Sequence, residues 1–450
     1  MIPKDFVWGT STASYQIEGA PREDGKGENI WDRFSHVPGN ICDNQTGDDA
    51  CDSYHNVKED AILSEELGVN AYRFSISWSR VLPNGVGEIN EKGMEYYNNL
   101  IDELLSRGIE PYVTIYHWDL PQKIQDKGGW SNIETADAYL NYAKILFIRF
   151  GSKVKYWTTL NEPWVVSFPG HYEGVMAPGL RDFSTALQVA HTQLVGHGKV
   201  VRLFRDMKIK GEIGVTLNLS PKESCTQQSK DIEAAHRCDG YMNRWFLDPL
   251  YYGKYPEDMV EWYETHHVKM PETSEEEMRL IAEPFDFLGI NYYNIDYTRY
   301  DSGKWPIELT TGHANGYPIT NYKMAITPEG IYKLLVRLEA EYKPKSIYIT
   351  ENGASFRDEK SSDGKIHDSN RIKYIKDHIE YCNAAIEKGI PLKGYFVWSM
   401  FDNFEWNTGY SNWFGLVQID RKTMERTKKD SFYWYRDMIK RSRLNASIIL

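Results

Sequence analysis

Residues 155–164 read KYWTTLNEPW, an apolar, β-branched and aromatic run that ends on Asn161 and Glu162. The pattern returns in SIYITEN (346–352), which ends on Glu351 and Asn352. Val, Ile, Thr, Tyr and Trp favour strands. A buried strand that ends on a carboxylate pushes a charge toward the rim of its sheet. Burying one uncompensated charge is costly, so two such endings point to a shared polar site. Either Glu alone reads equally well as half of an ordinary salt bridge; the pair and its neighbours favour a site.

Six more runs of this kind flank the two: 6–11, 71–77, 111–116, 213–219, 286–293 and 393–399. Longer segments of helical periodicity lie between them. In 91–108, for example, Tyr96, Leu100, Ile101, Leu104 and Leu105 share one face, Asn90 can cap the start and Gly108 can end it. Eight strands alternating with helices predict an α/β fold, a single closed parallel (β/α)8 TIM barrel with extended βα rim loops and function at the C-terminal strand ends. The alternative, an open doubly wound sheet, would normally carry a Gly-rich phosphate turn after its first strand, and no GxGxxG is present. The non-periodic stretches 20–54 and 295–325 read as rim loops. No linker or repeat divides the chain, so one domain over residues 1–450 is expected.

Composition excludes several classes. A net charge of −12 argues against a nucleic-acid partner. Five scattered cysteines make no disulfide framework and fit a reducing compartment. No CxxC or HExxH signals a metal site, and no cofactor is expected. No signal peptide or membrane span is visible, so a cytoplasmic location without membrane partners is expected. Asn44-Gln45-Thr46 and Asn445-Ala446-Ser447 match the glycosylation tripeptide, which is frequent by chance.

The predicted strand ends are unusually polar. They offer Gln16 after the first, Arg73 within the second, His117 and Trp118 after the third, Asn161 and Glu162 on the fourth, Asn291 and Tyr293 on the sixth, Glu351 on the seventh, and Trp398 on the eighth, followed by Glu405 and Trp406. Sugar hydroxyls need amide, imidazole and carboxylate partners, and the apolar face of a pyranose needs a flat aromatic surface. Paired carboxylates are the equipment for splitting glycosidic bonds. Arg73 in an apolar strand needs a carboxylate partner, for which Glu351 is the candidate.

With these residues placed, the chain resembles the family-one β-glycosidases, the β-glucosidase family. FVWGTSTASYQIEG, YHWDLP, TLNEPW, GINYY, YITENG and WSMFDNFEWNTGY each resemble a signature of that family, in its order, from about residue 5 to about residue 435. The resemblance implies a retaining double displacement without cofactor. It makes Glu162 the acid/base and Glu351 the nucleophile. It assigns Gln16, His117, Asn161, Glu405 and Trp406 to the sugar subsite, with Trp118 also among the substrate-binding residues and Trp398 as platform. Tyr293 and Arg73 would orient Glu351, and Asn291 would support Glu162. The implied activity is release of glucose from the non-reducing end of cello-oligosaccharides and from aryl or alkyl β-glucosides, with β-galactosides or β-fucosides as further substrates, and so a part in cellulose degradation. The sequence leaves the aglycone and the oligomeric state open.

Two departures from the family pattern stand out. Trp413 occupies a position usually held by Arg, which puts a contact near the pocket mouth in doubt. Met400 and Phe401 replace a more usual Leu pair and read as core. The rival readings are a 6-phospho-β-glycosidase, opposed by Glu405; a thioglucosidase, opposed by Glu162; and a non-catalytic carbohydrate-binding protein on the same fold, opposed by the presence of both glutamates.

Overall fold

The structure, a computed structural model, describes residues 2–312 and 316–444. The tripeptide at Asn445 lies outside the described residues. Eight parallel strands close into a barrel. They are β1 (Val7–Ser11), β2 (Ala71–Ser75), β3 (Glu110–Tyr116), β4 (Tyr156–Asn161), β5 (Glu212–Asn218), β6 (Phe287–Asn291), β7 (Ile347–Asn352) and β8 (Leu392–Trp398). Each pairs with its neighbours in chain order, and β8 closes on β1 with Val7 opposite Gly394 and Ser11 opposite Trp398. All eight coincide with the apolar runs read from the sequence. Both faces of such a strand are buried, which is why they read as nearly continuous apolar runs.

The intervening helices form the outer layer. Glu91–Ser106 ends where predicted, with Gly108 at φ +70°, in the left-handed region that glycine tolerates. Its start differs from expectation. The Asn90 side chain makes no cap; its Nδ2 donates to the carbonyls of Asp24 and Arg80, both at 2.9 Å. A capping residue has been recruited instead to pin the first rim loop, a tertiary use that local sequence does not reveal. The loops carry two small sheets of their own. One is three-stranded (Lys222–Ser224, Asp296–Tyr300, Leu309–Gly312), and the other pairs Val417–Ile419 with Arg426–Lys428. Met400 and Phe401 are fully buried in the main core. No helix among the described residues is long and apolar enough to cross a membrane.

The barrel interior changes character along its axis. At the N-terminal end Tyr112, Phe287, Tyr348 and Phe396 form a separate cluster with Ala71. Small neighbours make room for it: a Cβ on Gly9 would come within 2.3 Å of the Phe396 ring. Above it lies a layer of hydroxyls. Thr350 Oγ1 donates to Asn291 Oδ1 at 2.8 Å and lies 3.4 Å from Thr216 Oγ1. A Cβ on Gly289 would meet Thr216 Oγ1 at 2.3 Å, so this layer too is built around a missing side chain. The three buried carboxyls of the site lie above the threonines.

Candidate active site

Strict alternation would not deliver the catalytic candidates to the interior. Thr159 faces outward, where its hydroxyl meets His197 Nδ1 at 2.7 Å, and Asn161 lies two residues further on the same face. The β4–β5 register shifts between Thr158 and Asn161, which turns the strand end inward. On β7, Tyr348 belongs to the inner aromatic cluster and Ile349 to the outer core, so Glu351 would by alternation point out. A shift between Ile349 and Glu351 re-aims it as well. Glu162 then takes φ +48°, rare for a non-glycine residue, just before the short helix Pro163–Phe168. Trp118 (φ +77°) and Trp406 (φ +53°) are held in the same region. These three left-handed residues lie at the same rim, each just beyond a barrel strand or in the loop that follows one.

These ends meet in a cavity of about 300 Å³. Of the residues singled out from sequence, His117, Trp118, Asn161, Glu162, Asn291, Tyr293, Glu351, Trp398, Glu405 and Trp406 line it. Arg73 and Gln16 stand behind the wall and support it. Arg73 Nη1 donates to Glu351 Oε1 at 2.7 Å, and its Nη2 to Asn161 Oδ1 at 2.6 Å. Gln16 Nε2 donates to Asn403 Oδ1 and to the Phe404 carbonyl, and lies 3.5 Å from Glu405 Oε2.

The two carboxylates have unequal company. Glu351 accepts from Arg73 on one oxygen and from the Tyr293 hydroxyl, at 2.8 Å, on the other. Glu162 accepts from the Asn291 amide at 2.6 Å, and that amide also reaches Asn161 Oδ1 at 3.1 Å. Burial pushes Glu162 up to about 8, with the Glu351 charge adding to the shift and Asn291 opposing it. Burial also raises Glu351, against the pull of Arg73 and Tyr293. Burial outweighs the lowering by Arg73. The guanidinium still decides which of the two carries the charge, because Glu351 has a cation and a phenol whereas Glu162 has one neutral amide. Glu405 is a third buried carboxyl. Burial and then Glu351 hold it well above its ordinary range, while a hydrogen bond from Trp398 works against them.

Asn161 Nδ2 donates to His117 Nε2 at 3.0 Å, which leaves the ring proton on Nδ1. That nitrogen is buried with no protein partner. Burial, and secondarily Arg73, keep the imidazole neutral. Gln16 Oε1 is likewise buried and unpartnered. Both are unspent polar atoms beside the cavity, suited to hydroxyl groups. The indole N–H of Trp118 is already committed to the Asn161 carbonyl at 2.9 Å, so this ring serves as wall, packed 4.5 Å from Trp406 between centroids.

Trp413 does not line the cavity. Its indole donates to the Tyr410 carbonyl at 2.9 Å, and the adjacent Phe414 is the residue that reaches the wall. Sequence reasoning missed the outer part of the cavity: Trp164, Met176, Asn218, Ser220, Met242, Asn294, Asp296, Tyr322 and Met324. Asn218 could have been found, since it is the polar residue near the end of the fifth apolar run, as Asn161 is of the fourth. Met176, Met324 and Tyr322 come from loops and Met242 from the helical segment Gly240–Arg244, and none carries a signal. Among the described residues no Lys or Arg lines the cavity, and no cluster of three or more His, Cys, Asp or Glu is arranged to hold a metal ion.

A (β/α)8 barrel with two unequally partnered carboxyls facing one sugar-sized, aromatic-walled cavity defines the class of O-glycoside-cleaving enzymes. Comparison with known proteins makes the assignment definite: the model for glycosyl hydrolase family 1 matches residues 1–444, and the chain belongs to that family. It is 47% identical over 440 residues to β-glucosidase A of Acetivibrio thermocellus, covering 98% of each chain. It is 47% identical over 446 residues to the 1,4-β-D-glucan glucohydrolase of Thermotoga neapolitana, covering 98% of this chain and 99% of that one. Among solved structures, the β-glucosidase of Thermotoga maritima in complex with deoxynojirimycin superimposes with a TM-score of 0.95 at 47% identity, covering 98% of this chain and 99% of that one.

Proposed function

We propose that the protein is a retaining β-glucosidase that removes glucose from the non-reducing end of cello-oligosaccharides and from aryl or alkyl β-glucosides, with β-galactosides or β-fucosides as further substrates. The observation that carries this reading is the unequal partnering of the carboxyls. Glu351, held between Arg73 and Tyr293, attacks the anomeric carbon as the ionised group. Glu162, raised to about 8, holds a proton at neutral pH and delivers it to the departing oxygen. The aglycone leaves with that proton, and the sugar stays bonded to Glu351. Glu162, now a base, takes a proton from water as the water attacks the same carbon, and Glu351 is released as a carboxylate. As Glu351 loses its charge in the first step, the penalty on ionised Glu162 falls. The same coupling that keeps Glu162 protonated before attack therefore frees it to act as base afterward.

The remaining residues of the site, with Gln16 reaching from behind the wall, hold the sugar. His117 Nδ1–H, the amides of Asn161 and Gln16, and Glu405 bond its hydroxyls, with Trp398 as the surface beneath the ring. Glu405 pairs with hydroxyls in either ionisation state. A 6-phosphate would bring further negative charge beside Glu351 and Glu405 with no cation in the wall to receive it, so neutral sugars are the substrates. Residues 1–450 act as one catalytic domain in this reading. The scattered free cysteines support a reducing, cytoplasmic setting.

The test is an assay of an aryl β-glucoside beside its 6-phosphate, with proton NMR of the first sugar released. Preference for the neutral substrate and initial appearance of the β-anomer are expected. Preference for the phosphorylated glucoside makes the protein a 6-phospho-β-glycosidase, and initial α-anomer refutes double displacement.

A further inference from the structure

The Lys222 side chain is fully buried, and its ammonium has one carboxylate partner, Asp296 Oδ2 at 2.5 Å. It also donates to Ser220 Oγ at 2.7 Å and contacts Met242 Sδ at 3.1 Å. The Asp296 side chain, unlike that of Lys222, is 20% exposed, and what it is exposed to is the active-site cavity, whose wall it forms with Ser220, Asn218 and Asn294. An ion pair with one member sealed in protein and the other opening onto a substrate cavity is costly to build if it serves only to join the two strands of the rim sheet on which Lys222 and Asp296 are register partners. An apolar pair of similar volume would do that at least as well.

The position of Asp296 indicates which part of a substrate it meets. β6 ends at Asn291, the residue that donates to Glu162, and Asp296 follows five positions later. Asn218 lies opposite Asn291 in the β5–β6 register, and Ser220 follows it. The Glu162 amide itself bonds the carbonyl of Thr216 on β5. This wall is therefore contiguous with the acid/base carboxyl and so with the leaving group, whereas Glu405, Trp398 and Gln16 belong to the glycone side.

The carboxylate is also oriented. Oδ2 accepts from Ser220 Oγ at 2.6 Å and from Lys222; Oδ1 accepts only the Asn294 amide, at 3.0 Å. A carboxylate offers about four lone-pair sites, so Oδ1 keeps one in reserve. Burial disfavours the charge on Asp296, but Lys222, Ser220 and Asn294 outweigh it and hold the carboxyl below its ordinary value. The group is a fixed, ionised acceptor. Lys222 supplies the compensating charge from behind without presenting a cation to the substrate.

We propose that Asp296, braced by buried Lys222, accepts a hydrogen bond from a hydroxyl of the departing group and so makes this enzyme favour saccharide leaving groups over aryl and alkyl ones. The proposal rests on the β-glucosidase reading above and adds to it a residue that determines leaving-group specificity. The methionines and Trp164 of the same outer cavity give area to any aglycone; Asp296 is the element that an aryl group cannot satisfy.

The experiment compares cellobiose with p-nitrophenyl β-glucoside, which share the glycone and differ in the leaving group. Two variants are needed. Lys222→Met/Asp296→Asn removes both charges together, so that neither is left buried alone. Asp296→Glu keeps the pair but displaces the carboxylate by one methylene, and guards against a double variant that does not fold. Thermal melting reports folding of each. For folded variants kcat/KM on cellobiose should fall by roughly 10-fold or more, mostly through KM, as expected for one lost hydrogen bond to a charged group. The aryl glucoside should change by less than about twofold, since its ring makes no such bond. Equal losses on both substrates, or no loss on cellobiose, would assign the ion pair to loop architecture alone and overturn the proposal. A native protein inert to both substrates overturns the parent reading and this one with it. Native turnover of the aryl glucoside with uniform losses in the variants overturns this inference only.

Discussion

At the N-terminal end of the barrel the Tyr112 ring lies parallel to Tyr156 with centroids 4.2 Å apart, and meets Phe396 at 5.0 Å and Tyr348 at 5.6 Å. At the C-terminal end the same strands and the loops that leave them carry three buried carboxyls, one guanidinium and the candidate active-site cavity. The lower end is held by offset and edge-on ring contacts and by the area they bury. The upper end carries register shifts, positive φ angles and carboxyls raised by burial, each of which costs stability. The lower end and the threonine layer above it offset that cost. Division of labour along one axis is what lets a barrel keep a strained, charged site on a rigid base.

Substitutions at the two ends should therefore separate activity from stability. The largest effect is expected from Glu351→Ala, which removes the proposed nucleophile and should abolish turnover of every substrate. Arg73 and Tyr293 remain as donors around the vacated volume, so azide or formate should bind there, attack the anomeric carbon and restore part of the activity on activated aryl glucosides. Recovery of activity with rising azide, and the glycosyl azide as product, are the readouts. Failure of any small anion to rescue a folded variant would count against Glu351 as nucleophile.

A smaller effect of the opposite kind is expected at the base. Phe396 is fully buried against Tyr112, and the absent Cβ of Gly9 leaves the space its ring fills. Phe396→Ala should lower stability by about 3–5 kcal/mol, the usual cost of an aromatic cavity in a core. The kcat and KM of the molecules that remain folded should hardly change. Denaturant unfolding paired with kinetics at low temperature would check this. A change in KM comparable to that of an upper-rim variant would mean the base transmits geometry to the site and does more than support it.

How far each end can be read from sequence follows from the same contrast. The eight strands were legible because both faces of each are buried, which writes them as continuous β-branched and aromatic runs. The carboxylates were legible because a charge closing such a run is chemically out of place. The means of aiming them were not. Alternation alone turns Asn161 and Glu351 outward, and only the register shifts at Thr158/Asn161 and Ile349/Glu351 reverse this. No residue type in those strands announces a bulge. Asn90 shows the same limit: a good capping residue by local rules, it is spent on the Asp24 and Arg80 carbonyls. The outer cavity was least legible of all. Its methionines and Asp296 sit in the rim insertions, on loops, a short helical turn and the small rim sheet, outside the barrel strands whose ends the sequence marks.

The finest test of the contrast is the pH dependence of Glu162→Gln. Gln keeps the shape and can still accept the Asn291 amide, so packing is preserved. The native carboxyl titrates near 8 in the folded protein, against an ordinary value of 4.5. Between those two values the folded state binds a proton that the unfolded state has released. The contribution of this group to stability is therefore fully present below about 4.5 and is lost progressively as pH rises through 8. The Gln variant has no such loss. Its melting temperature should match that of the native protein near pH 4.5, exceed it increasingly up to pH 8 and stay ahead by roughly a few degrees above that. The kinetics should change in step. In the native enzyme kcat/KM falls on the alkaline side as Glu162 loses its proton, and in the variant that limb should vanish for an aryl glucoside whose leaving group needs little protonation. The acid limb, set by ionisation of Glu351, should hardly move, because the carboxyl that Gln replaces is already uncharged at that pH. A melting difference that stays constant with pH would show that Glu162 is not held protonated in the free enzyme. The cost would then lie elsewhere in the upper end, with Glu405 the next carboxyl to substitute.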